Sequence, residues 1–182
     1  MDILRARTKT VGVTVIEFQS GILDIILYDV GGQRAERRKW VQVFENAMTV
    51  IFLVALSEYD QVLVEDRRQN RLMESFQLFE HIVNSRWFAH SSVVLFLNKT
   101  DLFRAKLEKS PLRDYFPEYT GAVDDFDSAA NFIMERFLSL NRSGIHVYPF
   151  LTCATDTKNV EYVFNAVKES VLRNALNTLG LL

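Results

Sequence analysis

Short apolar runs spaced along the chain limit its fold more than any other feature. Thr49 to Leu56, Val93 to Leu97 and Val147 to Leu151 are β-branched or aromatic and almost free of charge. Ile22 to Tyr28 alternates loosely and ends at Asp29. Strands with so little polar alternation suit a sheet covered on both faces, since a face left in water would select polar side chains. Val11 to Phe18 does alternate with polar residues, and reads as a half-exposed edge strand hairpinned to the next through Gln19-Ser20-Gly21.

Helical patterns lie between these runs. Ala35 to Glu45 is short and basic at its start. Gln69 to Asn84 places Leu72, Met73, Phe76, Phe79, Ile82 and Val83 on one stripe at spacings of three and four. Asp127 to Leu140 repeats the pattern with Ala130, Ile133, Met134 and Phe137. Asn159 to Leu179 does so with Val160, Val163, Phe164, Val167 and Val171, and either Asp156 or Thr157 can cap its start. Alternating strands and helices predict a three-layer α/β fold with a mostly parallel sheet. No repeat, low-complexity stretch or Pro/Gly/Ser-rich linker divides the chain, so residues 1–182 are expected to form one domain.

Composition narrows the class of function. A net charge of −2 gives no reason to expect nucleic acid as a partner. A lone cysteine, Cys153, rules out an internal disulfide and fits a reducing compartment. No apolar run approaches the roughly 18 residues that a membrane-spanning helix needs, and the first residues lack a signal-peptide pattern.

In a parallel α/β sheet, chemistry gathers at the C-terminal ends of the strands. Asp29, Asn98 and Thr152 each follow the last apolar residue of a run. Asn98-Lys99-Thr100-Asp101 can read guanine: the aspartate accepts from the ring N–H and the exocyclic amine, while adenine would leave that carboxylate unpaired. The asparagine can brace neighbouring loops and the lysine stem can cover the face of the base. Read alone, the same tetrapeptide is equally a polar turn whose aspartate caps a helix. Asp29-Val30-Gly31-Gly32-Gln33 can serve a terminal phosphate. Asp29 would hold Mg²⁺ through water, the glycines would let a backbone N–H approach, and Gln33 would orient a water. Read alone, Gly31-Gly32 is a flexible turn. Leu4-Arg5-Ala6-Arg7-Thr8-Lys9-Thr10 offers an arginine for phosphoryl charge and a threonine for direct Mg²⁺ binding, or else is a solvated basic arm. Thr152-Cys153-Ala154-Thr155 offers small residues near a purine oxygen, or else ends a strand.

These four motifs, in this order and at these separations, resemble the α subunits of heterotrimeric G proteins. Arg5 to Thr10 is similar to that family's first switch, and Asp29-Val30-Gly31-Gly32-Gln33-Arg34-Ala35-Glu36-Arg37-Arg38-Lys39-Trp40 to its second. Phe96 to Phe103 and Thr152 to Asn159 are equally characteristic, and the likeness runs to Gly180-Leu181-Leu182. It implies a P-loop-NTPase-like, Ras-like GTPase fold that binds GTP or GDP with Mg²⁺ and hydrolyses GTP. Arg7 would be the catalytic arginine, Gln33 the water-positioning residue, Thr10 the direct Mg²⁺ ligand and Asp29 the ligand through water. Leu4, Arg5, Ala6, Thr8, Lys9, Val30, Gly31 and Thr100 would line the nucleotide, and Gly32 would sense the γ-phosphate. Asn98, Lys99 and Asp101 would read guanine, supported by Ala154. Arg34 and Arg37 would reach Glu74, which otherwise reads as a surface charge. The implied partners are a βγ dimer, a G-protein-coupled receptor docking on the last helix through Leu176, Leu179, Leu181 and Leu182, and an effector docking on the second switch and the helix Gln69 to Asn84. The implied location is cytoplasmic, at the inner face of the plasma membrane within a heterotrimer.

The pattern also departs from the family. No G-x-x-x-x-G-K-[ST] occurs, and no lysine follows a glycine anywhere in the chain. The phosphate-cradling loop, a central strand, the inserted helical domain and the lipid-modified N-terminal helix of the family are not matched. The expectation is therefore a partial Ras-like domain, running from the first switch onward and incomplete in its N-terminal part, poorly stable by itself and weak in binding GTP. The alternative functions are a non-cycling interaction fragment that binds βγ, effector or receptor, and an unrelated α/β phosphate-binding domain.

Overall fold

The computed structural model describes residues 10–21, 23–44 and 47–178. By their internal contacts the residues fall into two compact units, Met1–Ala47 and Met48–Leu182.

In the first unit, β1 (Val13–Ser20) and β2 (Leu23–Val30) form an antiparallel pair, registered from Val13 opposite Val30 to Ser20 opposite Leu23. The hairpin expected from Gln19-Ser20-Gly21 is present, and Gly21 turns it with φ +66°, where a side chain would be strained. Two expectations fail here. The run up to Tyr28 read as a buried strand, yet Ile26, Leu27 and Tyr28 are exposed. Asp29 was placed beyond that strand but lies within β2, opposite Thr14, because the ladder continues to Val30. The basic segment after Gly32 is broken rather than one helix: a 3₁₀ turn at Arg37–Lys39 precedes α1 (Val41–Phe44). Side chains there bond back to the preceding loop, with Arg37 Nε donating to the Gly32 carbonyl and Trp40 Nε1 to that of Gly31.

The second unit carries a parallel sheet in the order β3 (Thr49–Ala55), β4 (Ser92–Asn98), β5 (Val147–Leu151). Its helices are α2 (Arg71–Val83), α3 (Thr100–Leu107), α4 (Phe126–Ser139) and α5 (Thr157–Thr178). Helices cover both faces, as the apolar runs predict. On one face Phe52 of β3 meets Phe79 of α2 and Phe137 of α4, with ring centroids 5.3 and 6.4 Å away. On the other, Val163 and Val167 of α5 pack on Val94, joined by Phe96 and Phe150. Register places Ile51 beside Val94 and Leu53 beside Phe96, yet Ile51 is 39% and Leu53 63% exposed. Within this unit, then, α5 covers β4 and β5 and leaves that face of β3 bare. Central β4 is buried on both faces, which explains its unbroken apolar run.

The caps define where the helices begin. Asn70 Oδ1 accepts from the backbone N–H groups of Leu72 and Met73 and so starts α2. Asp125 accepts from Ser128 N at the start of α4. Of the two candidates for α5 it is Asp156 that caps, accepting from Lys158 N and Asn159 N. The helix α3 lacks a side-chain cap, and its buried stripe is just Phe103 and Leu107, one turn apart, too short a signal to be read from periodicity.

Candidate functional site

In the second unit, the ends of β4 and β5 carry the two motifs expected to read guanine. Asn98 closes β4, and its Oδ1 accepts from the backbone N–H of Ala154 at 3.1 Å, tying the loop after β4 to the loop after β5. Thr100 makes the same tie twice, donating from its N at 3.3 Å and its Oγ1 at 3.1 Å to the Thr152 carbonyl. Asp101 lies in the first turn of α3, exposed, and its carboxylate accepts no hydrogen bond among the described residues. Its oxygens are therefore open to donors of a ligand. The sequence reading places Asn98, Lys99, Thr100, Asp101 and Ala154 together, and the geometry of this unit does bring them to one edge.

Lys99 stands out within this group. It is the one non-glycine residue with positive φ among those described, at φ 63° and ψ 40°. Such a backbone is uncommon outside Asn, Asp and Gly and persists where its surroundings over-determine it. Its carbonyl accepts from Phe103 N, and its ammonium reaches Glu58 Oε1 at 2.8 Å.

Glu58 was not singled out by sequence reasoning, nor was the turn Ser57-Glu58-Tyr59-Asp60 that follows β3. The signal was present: that turn lies at the C-terminal end of a strand, like the other motifs. Every residue in it is held. Lys106 Nζ donates to the Ser57 carbonyl and to Asp60 at 2.7 and 2.8 Å. Glu58 Oε2 accepts from Arg71 at 2.9 Å. The Tyr59 carbonyl accepts from Asn70 Nδ2, and its hydroxyl donates to the Ser110 carbonyl. Asn159 reads in sequence only as the end of a family segment and the start of a helix; its Oδ1 accepts from Cys153 N at 2.9 Å and shapes the loop after β5. Thr152 is buried, and its Oγ1 finds no partner among the described residues.

The first unit carries the motifs expected to serve phosphate, and it brings Thr10 to Gly31. A Cβ on Gly31 would lie 2.7 Å from the Thr10 carbonyl oxygen and 2.9 Å from Glu36 Cβ. Gly31 N donates to the Gly12 carbonyl at 3.3 Å, and Gly12 N donates to Glu36 Oε2 at 2.9 Å. Gly12 has φ +82°, a turn that suits glycine. Gly32, by contrast, is exposed, with nothing within 4 Å of the position its Cβ would take. Gln33 is half-buried, and its carbonyl accepts from Glu36 N. Leu4, Arg5, Ala6, Arg7, Thr8 and Lys9 lie outside the described residues, as do Leu179, Leu181 and Leu182 of the tail.

Glu74 is 7% exposed and therefore not the surface charge it reads as; it stands on the inward side of α2 with Leu72 and Phe76. It belongs to the second unit, whereas Arg34 and Arg37 belong to the first. No group of three or more His, Cys, Asp or Glu side chains suited to a metal occurs among the described residues. The donors that sequence offers for Mg²⁺, the Thr10 hydroxyl and the Asp29 carboxylate, are hard oxygens of the kind that ion takes alongside phosphate and water.

A parallel sheet with helices on both faces and its polar loops collected at the strand ends is a doubly wound α/β architecture, the class to which Ras-like domains belong. A family model described as G-protein alpha subunit matches residues 1–171. The chain is 55% identical over 182 residues to the "Guanine nucleotide-binding protein alpha-3 subunit" of Neurospora crassa, covering all of this chain and 51% of that protein. It is 57% identical over 181 residues to the "Guanine nucleotide-binding protein subunit alpha" of Cryptococcus neoformans, covering 42% of it. To the "Guanine nucleotide-binding protein alpha-2 subunit" of Saccharomyces cerevisiae it is 55% identical over 183 residues, covering 40%. The chain belongs to the G-protein alpha subunit family. It spans about half or less of the length of the curated relatives it matches.

Proposed function

We propose that this chain is part of a guanine-nucleotide switch that binds GTP and GDP with Mg²⁺ and hydrolyses GTP to GDP and phosphate. The observation that carries the reading is the edge at β4 and β5. Asn98 braces the Ala154 loop while the Asp101 carboxylate stays exposed and unbonded, the arrangement needed to accept two hydrogen bonds from guanine. On the phosphate side, Gly32 leaves its backbone open to approach, and Mg²⁺ would be held directly by Thr10 and through water by Asp29. When bound, Mg²⁺ neutralises charge on the β- and γ-phosphate oxygens. Gln33 orients the water that attacks the γ-phosphorus in line, and Arg7 stabilises charge as the bond to the GDP oxygen breaks. Those two roles are the general ones known for Gα proteins, carried over by position. Leu4, Arg5, Ala6, Thr8, Lys9, Val30, Gly31 and Thr100 complete the nucleotide contacts.

The same reading assigns partners. A βγ dimer and an effector meet the second switch around Trp40, the effector also meets α2, and a G-protein-coupled receptor meets the end of α5. The work is done at the cytoplasmic face of the plasma membrane; no helix among the described residues is long and apolar enough to cross one. A second reading is a non-cycling chain that binds these partners without hydrolysis. Nucleotide affinity of the purified chain separates the two. The switch reading expects GDP and GTP to bind and ATP not to, with Asp101→Asn weakening GDP at least about tenfold by leaving a guanine donor pair mismatched. Equal affinity for GDP and ADP would sink it.

A further inference from the structure

Glu58 stands at the end of β3, facing the guanine-reading loop, and nothing in the reading above gives it a task. We propose that Glu58 is a positioning residue for the guanine-binding lysine: it holds the Lys99 ammonium so that the lysine stem forms a fixed wall for the base. This rests on the guanine-nucleotide reading and adds a residue to that site.

Both carboxylate oxygens are committed. Oε1 takes Lys99 Nζ at 2.8 Å and Oε2 takes Arg71 Nη1 at 2.9 Å. Arg71 itself sits in the first turn of α2, fixed by the Asn70 cap, and reaches Gln61 Oε1 at 3.3 Å as well. The Glu58 side chain is 18% exposed and that of Arg71 20%, so the carboxylate is held from behind by a mostly buried partner. The Lys99 side chain, at 41%, is the exposed member. An ion pair with one end this exposed stabilises the fold little. What it does supply is order. A lysine side chain carries considerable rotamer entropy, and a stem already pinned at its far end loses less of it when a base stacks on it. The backbone of Lys99 is fixed in the left-handed region, the ammonium is fixed on Glu58, and the methylenes between them are left with few rotamers.

The test is a double-mutant cycle on the 182-residue chain, with N-methylanthraniloyl-GDP as the probe and a thermal melt of each variant alongside. Glu58→Gln is expected to raise Kd about five- to tenfold, in line with the loss of prepaid side-chain order. Glu58→Asp, which keeps the charge, should stay within about threefold of wild type. In a Lys99→Met background, Glu58→Gln should change Kd less than about twofold, because there is no ammonium left to position. A Kd unchanged by Glu58→Gln overturns the proposal. So does an equal loss in the Lys99→Met background, since that is the mark of a merely structural role. If Glu58→Gln does not fold, the cycle runs with Glu58→Ser and Lys99→Met, where coupling supports the proposal and simple additivity overturns it. A wild-type chain that binds no GDP sinks the guanine-nucleotide reading and this inference with it, whereas failure of the cycle in a chain that does bind GDP sinks this inference alone.

Discussion

Tyr59 is fully buried, between Phe103 and Tyr115, with Lys106 over its ring. Burial, with nearby Asp60 and Asp114, pushes its hydroxyl up from 10.0 to about 12. The folded chain therefore keeps a proton that the unfolded chain gives up near pH 10, so this contribution to stability is complete below pH 10 and is lost as pH rises from 10 towards 12. Denaturation midpoints measured across that window should fall, and Tyr59→Phe should flatten the fall while lowering stability at neutral pH by about 1 kcal/mol for the lost bond to Ser110. The paired glycines make a second residue-scale contrast. Gly31→Ala drives a methyl into the Thr10 carbonyl and Glu36, at a cost of about 1–3 kcal/mol, and should shift the fluorescence of Trp40, whose indole bonds the Gly31 carbonyl. Gly32→Ala has room for its methyl. It should leave that fluorescence unchanged and weaken the response to GTP alone. Which of the two glycines is crowded was not legible in the sequence, because the crowding comes from Glu36 folding back five residues later.

At the scale of elements, α2 depends on a cap that serves two masters. Asn70 accepts from Leu72 N and Met73 N and donates to the Tyr59 carbonyl at 2.6 Å, joining the helix start to the turn after β3. Asn70→Ala should cost about 1–2 kcal/mol, more than an isolated cap, read out as a lower midpoint of chemical denaturation. The strands and long helices of the second unit were legible because each carries a period-3.6 stripe or an unbroken apolar run that one side of the sheet must bury. The helix α3 was not, since two buried residues make no period. Nor was the exposure of β2, because an apolar run reports what a strand can bury and not whether a neighbour covers it. The site shows the same division. Motifs contiguous in sequence, from Asn98 to Asp101, were readable, whereas Glu58 and Asn159 act across the fold on Lys99 and Cys153.

For the molecule as a whole, the two units have unequal means of support. Residues 48–182 own a parallel sheet with helices on both faces and an aromatic core around Phe52, Phe76, Phe79 and Phe137. The first unit owns a two-stranded hairpin, which in water is marginal by itself. Amide hydrogen exchange should accordingly show strong protection in β4 and α4, and protection weaker by several orders of magnitude in β1 and β2. Residues 48–182 expressed separately should keep the helical circular dichroism of the whole. The bare face of β3 has one more consequence. Ile51 and Leu53 lie on a strand with a hydrogen-bonded neighbour on one side only among the described residues, and an apolar strand with an open edge is a template for its own kind. Concentration then becomes a variable of the molecule. Dilute chains should stay dispersed, and denser solutions should scatter light in a way that a charge at Leu53 suppresses.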